Sequence, residues 1–150
     1  MRLVNVQTMK EMEKAADAAG YSYANMMRSA GEGIAKVLVK HFSDPAQNTI
    51  LGLVGKGNNG GDTLIALTEL QRTGWDTSIL LVEPRDQDDT LVNRYTANGG
   101  HIVTLLDLSE TGRTASRSGI VLDGIYGTGF HPPMTEALVD LLDRVQKAMA

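Results

Sequence analysis

The stretch GKGNNGGDT, from Gly55 to Thr63, combines glycines with two asparagines, one lysine and one aspartate. An apolar run precedes it and a helical pattern follows it, so it connects a predicted strand to a predicted helix. Residues without a Cβ let backbone N–H groups converge on an anion, and the start of a helix adds partial positive charge. The stretch therefore indicates an anion-binding site, with a tight strand-to-helix turn as the structural alternative.

Two phosphate-binding patterns fit this stretch incompletely. Gly55, Gly57 and Gly60 have the spacing of G-x-G-x-x-G, in the required strand-loop-helix context. Dinucleotide enzymes with that pattern also have an acidic residue about 20 positions further on, and Glu83 is only a loose candidate for it. The P-loop pattern needs a lysine after its last glycine, whereas this chain has Asp62, which would repel phosphate.

A second glycine-rich loop, DGIYGTGFHPP, runs from Asp123 to Pro133 and follows another apolar strand. One aspartate at such a place is by default a turn-capping residue. In a doubly wound sheet the first and fourth strands are neighbours, so Asp123 should emerge beside Asn58 and Asn59. Amide, carboxylate and backbone carbonyl oxygens together would suit a hard cation, whose identity the residues leave open.

Three other polar residues in these loops have ordinary explanations beside functional ones. His131 could act as an acid or a base, or it could be an exposed spacer before two prolines. Lys56, a lone lysine, is expected to be solvated. Asp62 is predicted to be the N-cap of a helix from Thr63 to Arg72.

Alternating strands and helices must position these loops. The patterns predict two helices between Thr8 and His41, joined by a turn at Gly20, and a buried strand that ends near Val54. The later predicted strands are DTSILLVEP, HIVTLL and SGIVLDGI; the later helices are DQDDTLVNRYTANG and PPMTEALVDLLDRVQKAMA, the last opened by its prolines. The segment DLSETGRTAS is expected to be a brief helix or a loop. The predicted fold is a Rossmann-like three-layer α/β/α arrangement with a mostly parallel sheet, preceded by two N-terminal helices and forming one domain over residues 1–150.

Composition narrows the class of protein. The chain has 150 residues, 42% hydrophobic residues and a net charge of -4, which fits one globular domain and disfavours polyanionic partners such as nucleic acid. It has no cysteine, so disulfides, a thiolate nucleophile and cysteine-bound metals are excluded. Neither a signal-peptide h-region nor a run of roughly 20 apolar residues is present, so we expect a cytoplasmic protein without a membrane span.

The two loops together resemble those of the NAD(P)H-hydrate epimerase family, also called the YjeF N-terminal domain family. The resemblance rests on GKGNNGGD and LDGIYGTGF, is supported by MMRSAG, which is similar to a family segment Met-Glu-x-Ala-Gly, and covers essentially the whole chain. It implies a Rossmann-like fold and an isomerase that interconverts the R and S hydrates of NADH and NADPH. A separate dehydratase would then restore the cofactor.

The resemblance also implies site residues. Those expected to line the substrate pocket lie in the two loops: Asn58, Asn59, Gly60, Gly61, Asp62, Gly127, Thr128, Gly129, Phe130, His131, Pro132 and Pro133. Asn59 and Asp123 would hold a potassium ion. Inversion of a ring carbon that bears a hydroxyl calls for acid/base assistance, and Asp62 and Asp123, the only carboxylates in the two loops, are the catalytic candidates.

The sequence departs from the family pattern at several places. Family members continue into a further strand that carries Asp-x-Pro-Ser-Gly, whereas this sequence stops at Ala150, so we expect it to lack the last strands and helix of the family fold. Thr63 replaces a glycine and would narrow the site; Arg28 and Thr68 stand where glutamate and arginine are common. A fragment, a naturally short relative and a divergent homologue are all compatible with these departures.

The departures leave two other functions open. One is a non-catalytic nucleotide-binding, dimerisation or scaffold module, and the other is a different enzyme that uses a phosphorylated nucleoside. A shortened sheet would leave an edge at the fourth strand, from which we expect a homo-oligomer, such as a dimer.

Overall fold

The computed structural model describes residues 3–42, 48–104 and 119–149, which contain five helices and four strands. The elements are α1 Val6–Ala18, α2 Tyr23–His41, β1 Thr49–Val54, α3 Asn58–Arg72, β2 Asp76–Leu81, α4 Thr90–Ala97, β3 His101–Val103, β4 Ile120–Gly124 and α5 Glu136–Met149. The segment 107–116, predicted to be a brief helix or a loop, lies outside the described residues.

The four strands form one parallel sheet in the order β3-β2-β1-β4. At the carboxyl end of β1, Val54 lies opposite Leu81 of β2 and Gly124 of β4. The loops after β1 and β4 therefore leave the sheet side by side. This register confirms the predicted neighbourhood of the first and fourth strands.

Helices cover both faces of the sheet, which confirms the three-layer architecture. One face packs against α2, α3 and α4 through Leu38, Leu64, Leu67 and Tyr95, among others. The other face packs against α5, whose Leu138, Leu141 and Val145 recur at helical spacing and meet Leu51, Leu53 and Leu80. Burial on both sides explains why β1 is a continuous apolar run.

The starts of α3 and α5 differ from the sequence prediction. Helix α3 begins at Asn58 with Gly57 as its N-cap, so the prediction that Asp62 caps a helix starting at Thr63 was wrong. Glycine and asparagine have low helix propensity, but close packing of this segment against its neighbours overrides that preference. Helix α5 begins at Glu136, three residues beyond Pro133, so the prolines precede the helix instead of opening it.

Asp89 is the N-cap of α4. Its Oδ1 accepts hydrogen bonds from the backbone N–H groups of Leu91, at 2.9 Å, and Val92, at 3.1 Å. Its Oδ2 accepts one at 2.8 Å from Nε of Arg85. Burial acts to raise the pKa of Asp89, but these hydrogen bonds and the arginine charge outweigh it and lower that pKa below its ordinary value.

We expect Asp89→Ala to lower the free energy of unfolding by about 1–2 kcal/mol at neutral pH, because helix α4 loses its cap and Arg85 its partner. Since the pKa is lowered in the folded protein, this stabilisation is lost as the pH falls through that pKa. Urea unfolding at pH 7 and at acidic pH measures both effects. Exposed Asp88 provides a matched control, Asp88→Ala, and equal losses for the two variants would contradict the capping role.

Candidate functional site

A cleft of about 810 Å³ opens at the carboxyl edge of the sheet, between the loops after β1 and β4 and the first helix. This volume lies in the range of small-molecule and cofactor sites. Its lining comes from three places in the sequence: Val6, Met9, Lys10 and Glu13 of α1; Lys56, Gly57, Asn58, Asn59, Asp62 and Glu83 near the ends of β1 and β2; and Ile125, Tyr126, Gly127, Thr128, Gly129, Phe130, His131 and Pro133 after β4.

Direct contacts join the two glycine-rich loops. The side-chain amide of Asn59 donates a hydrogen bond to the carbonyl oxygen of Tyr126 at 2.8 Å, and the N–H of Gly55 donates to the carbonyl of Gly124 at 3.1 Å. A Cβ on Gly55 would overlap the carbonyl oxygen of Ile125. Glycine at position 55 is thus required for the loops to approach each other.

The start of α3 faces the cleft without a side-chain cap. Gly57 is the N-cap and has no side chain to accept hydrogen bonds from the first-turn N–H groups, which include those of Asn58 and Asn59. An uncapped helix N-terminus carries partial positive charge and free donors, and both suit an anionic group.

Gly60 and Gly61, expected to contact substrate, are buried and lie behind the cleft lining. A Cβ on Gly60 would overlap the carbonyl oxygen of Gly55, and a Cβ on Gly61 would lie 2.7 Å from the sulfur of Met27. Both glycines therefore let α3 pack closely against its neighbours. This is the role expected of them in a tight strand-to-helix turn, the alternative to ligand contact.

Asp62 faces the cleft from the second turn of α3 and stands opposite the helix-α1 residue Glu13. It does not cap a helix, and no described residue donates a hydrogen bond to its carboxylate. Burial, together with the negative charge of Glu13, raises the pKa of Asp62 from 3.8 to about 6. A carboxylate with that pKa can both take and return a proton near neutral pH.

Asp123 lies at the end of β4 but does not line the cleft. Its Oδ1 accepts a hydrogen bond at 2.9 Å from the N–H of Ile125, the turn-capping arrangement that the sequence left open. Its other oxygen, and the side-chain oxygen of Asn59, accept no hydrogen bond within the described residues. No group of three or more His, Cys, Asp or Glu residues in residues 3–42, 48–104 and 119–149 has the arrangement of a metal site.

The loop after β4 forms the apolar wall of the cleft. The rings of Tyr126 and Phe130 stack with centroids 4.7 Å apart and planes inclined by 23°. The loop folds back on itself, because the N–H of Phe130 donates to the carbonyl of Gly127 at 3.1 Å. Exposed His131 lines the cleft beside this aromatic pair, whereas Pro132 lies outside the lining.

Charged residues frame the opposite end of the cleft. Nζ of Lys56 lies 3.6 Å from Oε1 of Glu83, just after β2. Lys56 is therefore an ion-pair partner and not only a solvated loop residue. Arg85 is held nearby by two hydrogen bonds: Nε donates to Asp89, and Nη1 donates to the carbonyl of Gly55 at 2.5 Å.

Helix α1 contributes a wall that the sequence did not reveal. Helical periodicity predicts the helix but gives no sign of the element against which it lies. None of its residues is buried, and its Val6, Met9, Lys10 and Glu13 border the cleft. Only the i, i+3, i+4, i+7 spacing of these four residues could have indicated that they share one face.

The three residues that differ from the family pattern, Thr63, Thr68 and Arg28, lie away from the cleft lining. Thr63 is buried where α3 packs on the sheet, in space that Gly52 of β1 and Gly124 of β4 leave, so the expectation that it narrows the site was wrong. Thr68 is also buried and donates to the carbonyl of Leu64 at 2.7 Å. Arg28 is exposed on α2, 4.0 Å from Glu32.

Among the described residues, no helix combines the length and the apolar character needed to cross a membrane.

Comparisons with known proteins identify relatives of this chain. The model of the family described as YjeF-related protein N-terminus matches residues 23–150. The NAD(P)H-hydrate epimerase of Plasmodium knowlesi is 30% identical over 118 residues, which cover 79% of this chain and 40% of that protein. The NAD(P)H-hydrate epimerase of Cryptococcus neoformans is 27% identical over 141 residues, which cover 93% of this chain and 54% of that protein.

Two further matches span almost the whole chain. The bifunctional NAD(P)H-hydrate repair enzyme Nnr of Moorella thermoacetica is 30% identical over 158 residues, covering 99% of this chain and 30% of that protein. The crystal structure of yeast ynu0 superposes with a TM-score of 0.81 at 20% identity, covering 99% of this chain and 66% of that one, and shows the same fold. The chain thus spans 30% to 54% of the length of these three curated relatives.

Proposed function

This chain belongs to the YjeF-related protein N-terminus family, and we propose that it is an isomerase that interconverts the R and S hydrates of NADH and NADPH. The names of its relatives in Plasmodium and Cryptococcus, both NAD(P)H-hydrate epimerases, support this activity. The observation that carries the proposal is a single cleft that joins an uncapped helix N-terminus to a partly buried carboxylate, Asp62.

The cleft offers a different environment to each end of a dinucleotide. The pyrophosphate would lie at the start of α3, where the N–H groups of Asn58 and Asn59 provide donors. The hydrated nicotinamide ring would then lie against the stacked Tyr126 and Phe130, because an aromatic pair offers an apolar surface for the ring's carbon atoms. This placement brings the reacting ring into the part of the cleft that Asp62 borders.

Asp62 is proposed as the general base. Hydration of a dihydronicotinamide places the hydroxyl on a carbon next to the ring nitrogen. Asp62 would take the hydroxyl proton; a carbonyl then forms as the carbon–nitrogen bond breaks, and the electron pair moves to the conjugated ring nitrogen. Attack of that nitrogen on the opposite face of the carbonyl, with return of the proton from Asp62, inverts the carbon.

A potassium ion is proposed near the carboxyl ends of β1 and β4. The amide oxygen of Asn59 and the second carboxylate oxygen of Asp123 are hard ligands without a hydrogen bond in the described residues, so their chemistry fits such a cation. When bound, the ion would supply positive charge beside the pyrophosphate. Asp123 is accordingly proposed as a cation ligand; its exclusion from the cleft lining gives no support to a role as the base.

Two partners belong to the proposal. The Moorella relative is named a bifunctional NAD(P)H-hydrate repair enzyme, which supports a functional link to a second activity, here proposed to be a dehydratase. Strand β4 is an edge of the sheet within the described residues, and an unpaired edge can accept a second copy of the chain, so we propose a homodimer.

A cytoplasmic location of this chain also stays a prediction.

We expect the chain to accelerate epimerisation of the NADPH hydrates in potassium chloride and to lose most of that acceleration in sodium chloride of equal ionic strength. The assay follows the reaction through a dehydratase that consumes one epimer only. In potassium chloride, Asp123→Ala should be roughly tenfold slower than the wild type, because one cation ligand is lost. Its rate should then resemble that of the wild type in sodium chloride. Asp88→Ala, remote from the cation ligands, is the matched control.

Each outcome of this assay has a distinct meaning. Absence of acceleration by folded protein would contradict the isomerase and favour a non-catalytic binding or scaffold module. Equal rates for the wild type and Asp123→Ala would contradict the cation role while leaving the isomerase intact.

A further inference from the structure

The ion pair between Lys56 and Glu83 occupies the end of the cleft at which a dinucleotide would present a ribose. Glu83 follows β2 by two residues, and β2 is the neighbour of β1. In dinucleotide-binding folds, an acidic residue near the end of the second strand accepts hydrogen bonds from the ribose 2′-hydroxyl of the cofactor. Gly60, the last glycine of the G-x-G-x-x-G spacing, precedes Glu83 by an interval similar to the one in that pattern.

Glu83 is the better placed of the two charges to act on a ligand. Its side chain is 30% exposed, whereas that of Lys56 is 71% exposed and carries its charge out towards solvent. The pair is 3.6 Å apart, a separation at which an exposed lysine can swing away without loss of a short hydrogen bond. A ligand can therefore meet the carboxylate directly.

Among residues 3–42, 48–104 and 119–149, no free arginine borders this end of the cleft to meet a 2′-phosphate. Arg85 has a side chain that is only 10% exposed and is held by Asp89 and by the carbonyl of Gly55. Within the described lining, Lys56 is the cation nearest to Glu83 that can reach such a phosphate, and it must share its charge with that carboxylate.

We propose that Glu83 selects the substrate by its ribose, so that the cleft favours dinucleotide hydrates with a free 2′-hydroxyl over those with a 2′-phosphate. The inference rests on the proposed function, because it assigns an orientation to the same ligand. The Glu83 carboxylate accepts hydrogen bonds from the ribose hydroxyls, and it repels a 2′-phosphate. Lys56 opposes this preference, because it attracts that phosphate.

The test compares affinities for the NADH and NADPH hydrates, measured by isothermal titration calorimetry on the full chain. Equilibrated mixtures of the two epimers are used, so that turnover does not change the titrant. We expect the wild type to bind the NADH hydrates more tightly. Glu83→Gln should reduce that preference by roughly tenfold, and Lys56→Met should increase it, since the two variants remove opposite charges.

Glu69→Gln is the matched control, because Glu69 is 25% exposed and ion-paired to Arg72, but lies outside the cleft lining. Its preference should equal that of the wild type, and thermal unfolding of each variant checks that the fold is kept. An unchanged preference in Glu83→Gln, or a wild type that favours the NADPH hydrates, would overturn the inference while leaving epimerisation untouched. Binding of neither hydrate would overturn the proposed function itself.

Discussion

Replacement of Asp62 by asparagine is expected to lower kcat/KM for epimerisation by about 10²–10⁴-fold, the range that general acid/base catalysis contributes. Asparagine keeps the size of the side chain but cannot take a proton from the substrate hydroxyl. The thermal stability of the variant should not fall, because the Asp62 carboxylate accepts no hydrogen bond from a described residue and its raised pKa reflects an unfavourable environment for charge.

The pH dependence of the wild type tests the direction of proton transfer. A base must be deprotonated in the free enzyme, so kcat/KM should rise as the pH increases through about 6, the pKa of Asp62, and should then reach a plateau. The other titratable residues that line the cleft are Lys10, Glu13, Lys56, Glu83, Tyr126 and His131. In Asp62→Asn, the rise of kcat/KM near pH 6, the acidic limb of the pH profile, should be absent from whatever activity remains.

Glu13 provides a second check on the same limb. Its negative charge contributes to the raised pKa of Asp62, so Glu13→Gln should move the limb to lower pH. Glu11→Gln is the matched control, because Glu11 is exposed on α1 outside the cleft lining and should leave the limb in place. A rate that falls as the pH rises through 6 would show that Asp62 acts as an acid, and an unchanged rate in Asp62→Asn would remove it from the reaction.

The buried strands and the strand order could be predicted from the sequence. Burial determines the local apolar pattern of a strand, and the strand order follows a rule common to doubly wound sheets. The run TILGLV is apolar because β1 is buried on both faces, and the neighbourhood of β1 and β4 follows from the usual order of such sheets. Both loops of the cleft were predicted on that basis. Their glycines were harder to interpret, because Gly60 and Gly61 look like ligand contacts in sequence and are packing positions in the structure.

The remaining features depend on contacts between residues that are distant in sequence. The start of α3 at Asn58 contradicts local helix propensity and follows from close packing, which a sequence pattern does not display. The position of α1 beside the cleft, and with it Glu13, depends on where an amphipathic helix docks. Glu83 was visible as a loose candidate in the sequence, but only the structure shows that it lines the cleft and pairs with Lys56.

Substitution of Gly124 by alanine is expected to lower the free energy of unfolding by about 3 kcal/mol, the upper part of the range for overpacking a tight interior. The new Cβ would overlap Oγ1 of Thr63 and lie 2.9 Å from its Cβ. Thr63 is 2% exposed, with its methyl group 3.1 Å from the position of a Cβ on Gly52. A threonine in place of the family glycine is thus accommodated by glycines on the two adjoining strands.

A double-mutant cycle with Thr63→Gly identifies the source of this loss. Thr63→Gly alone should destabilise the protein by about 1 kcal/mol or more, since it adds a glycine to the helix and removes buried packing. In that background Gly124→Ala should cost markedly less, because Thr63 no longer occupies the space, although the carbonyl oxygen of Asn59, 3.1 Å away, remains. Gly129→Ala, at a loop glycine with open space around it, is the control in urea unfolding. If Gly124→Ala were equally costly in both backgrounds, the strain would come from the Asn59 backbone, and the pairing of Thr63 with the strand glycines would not explain how this chain accepts its departure from the family.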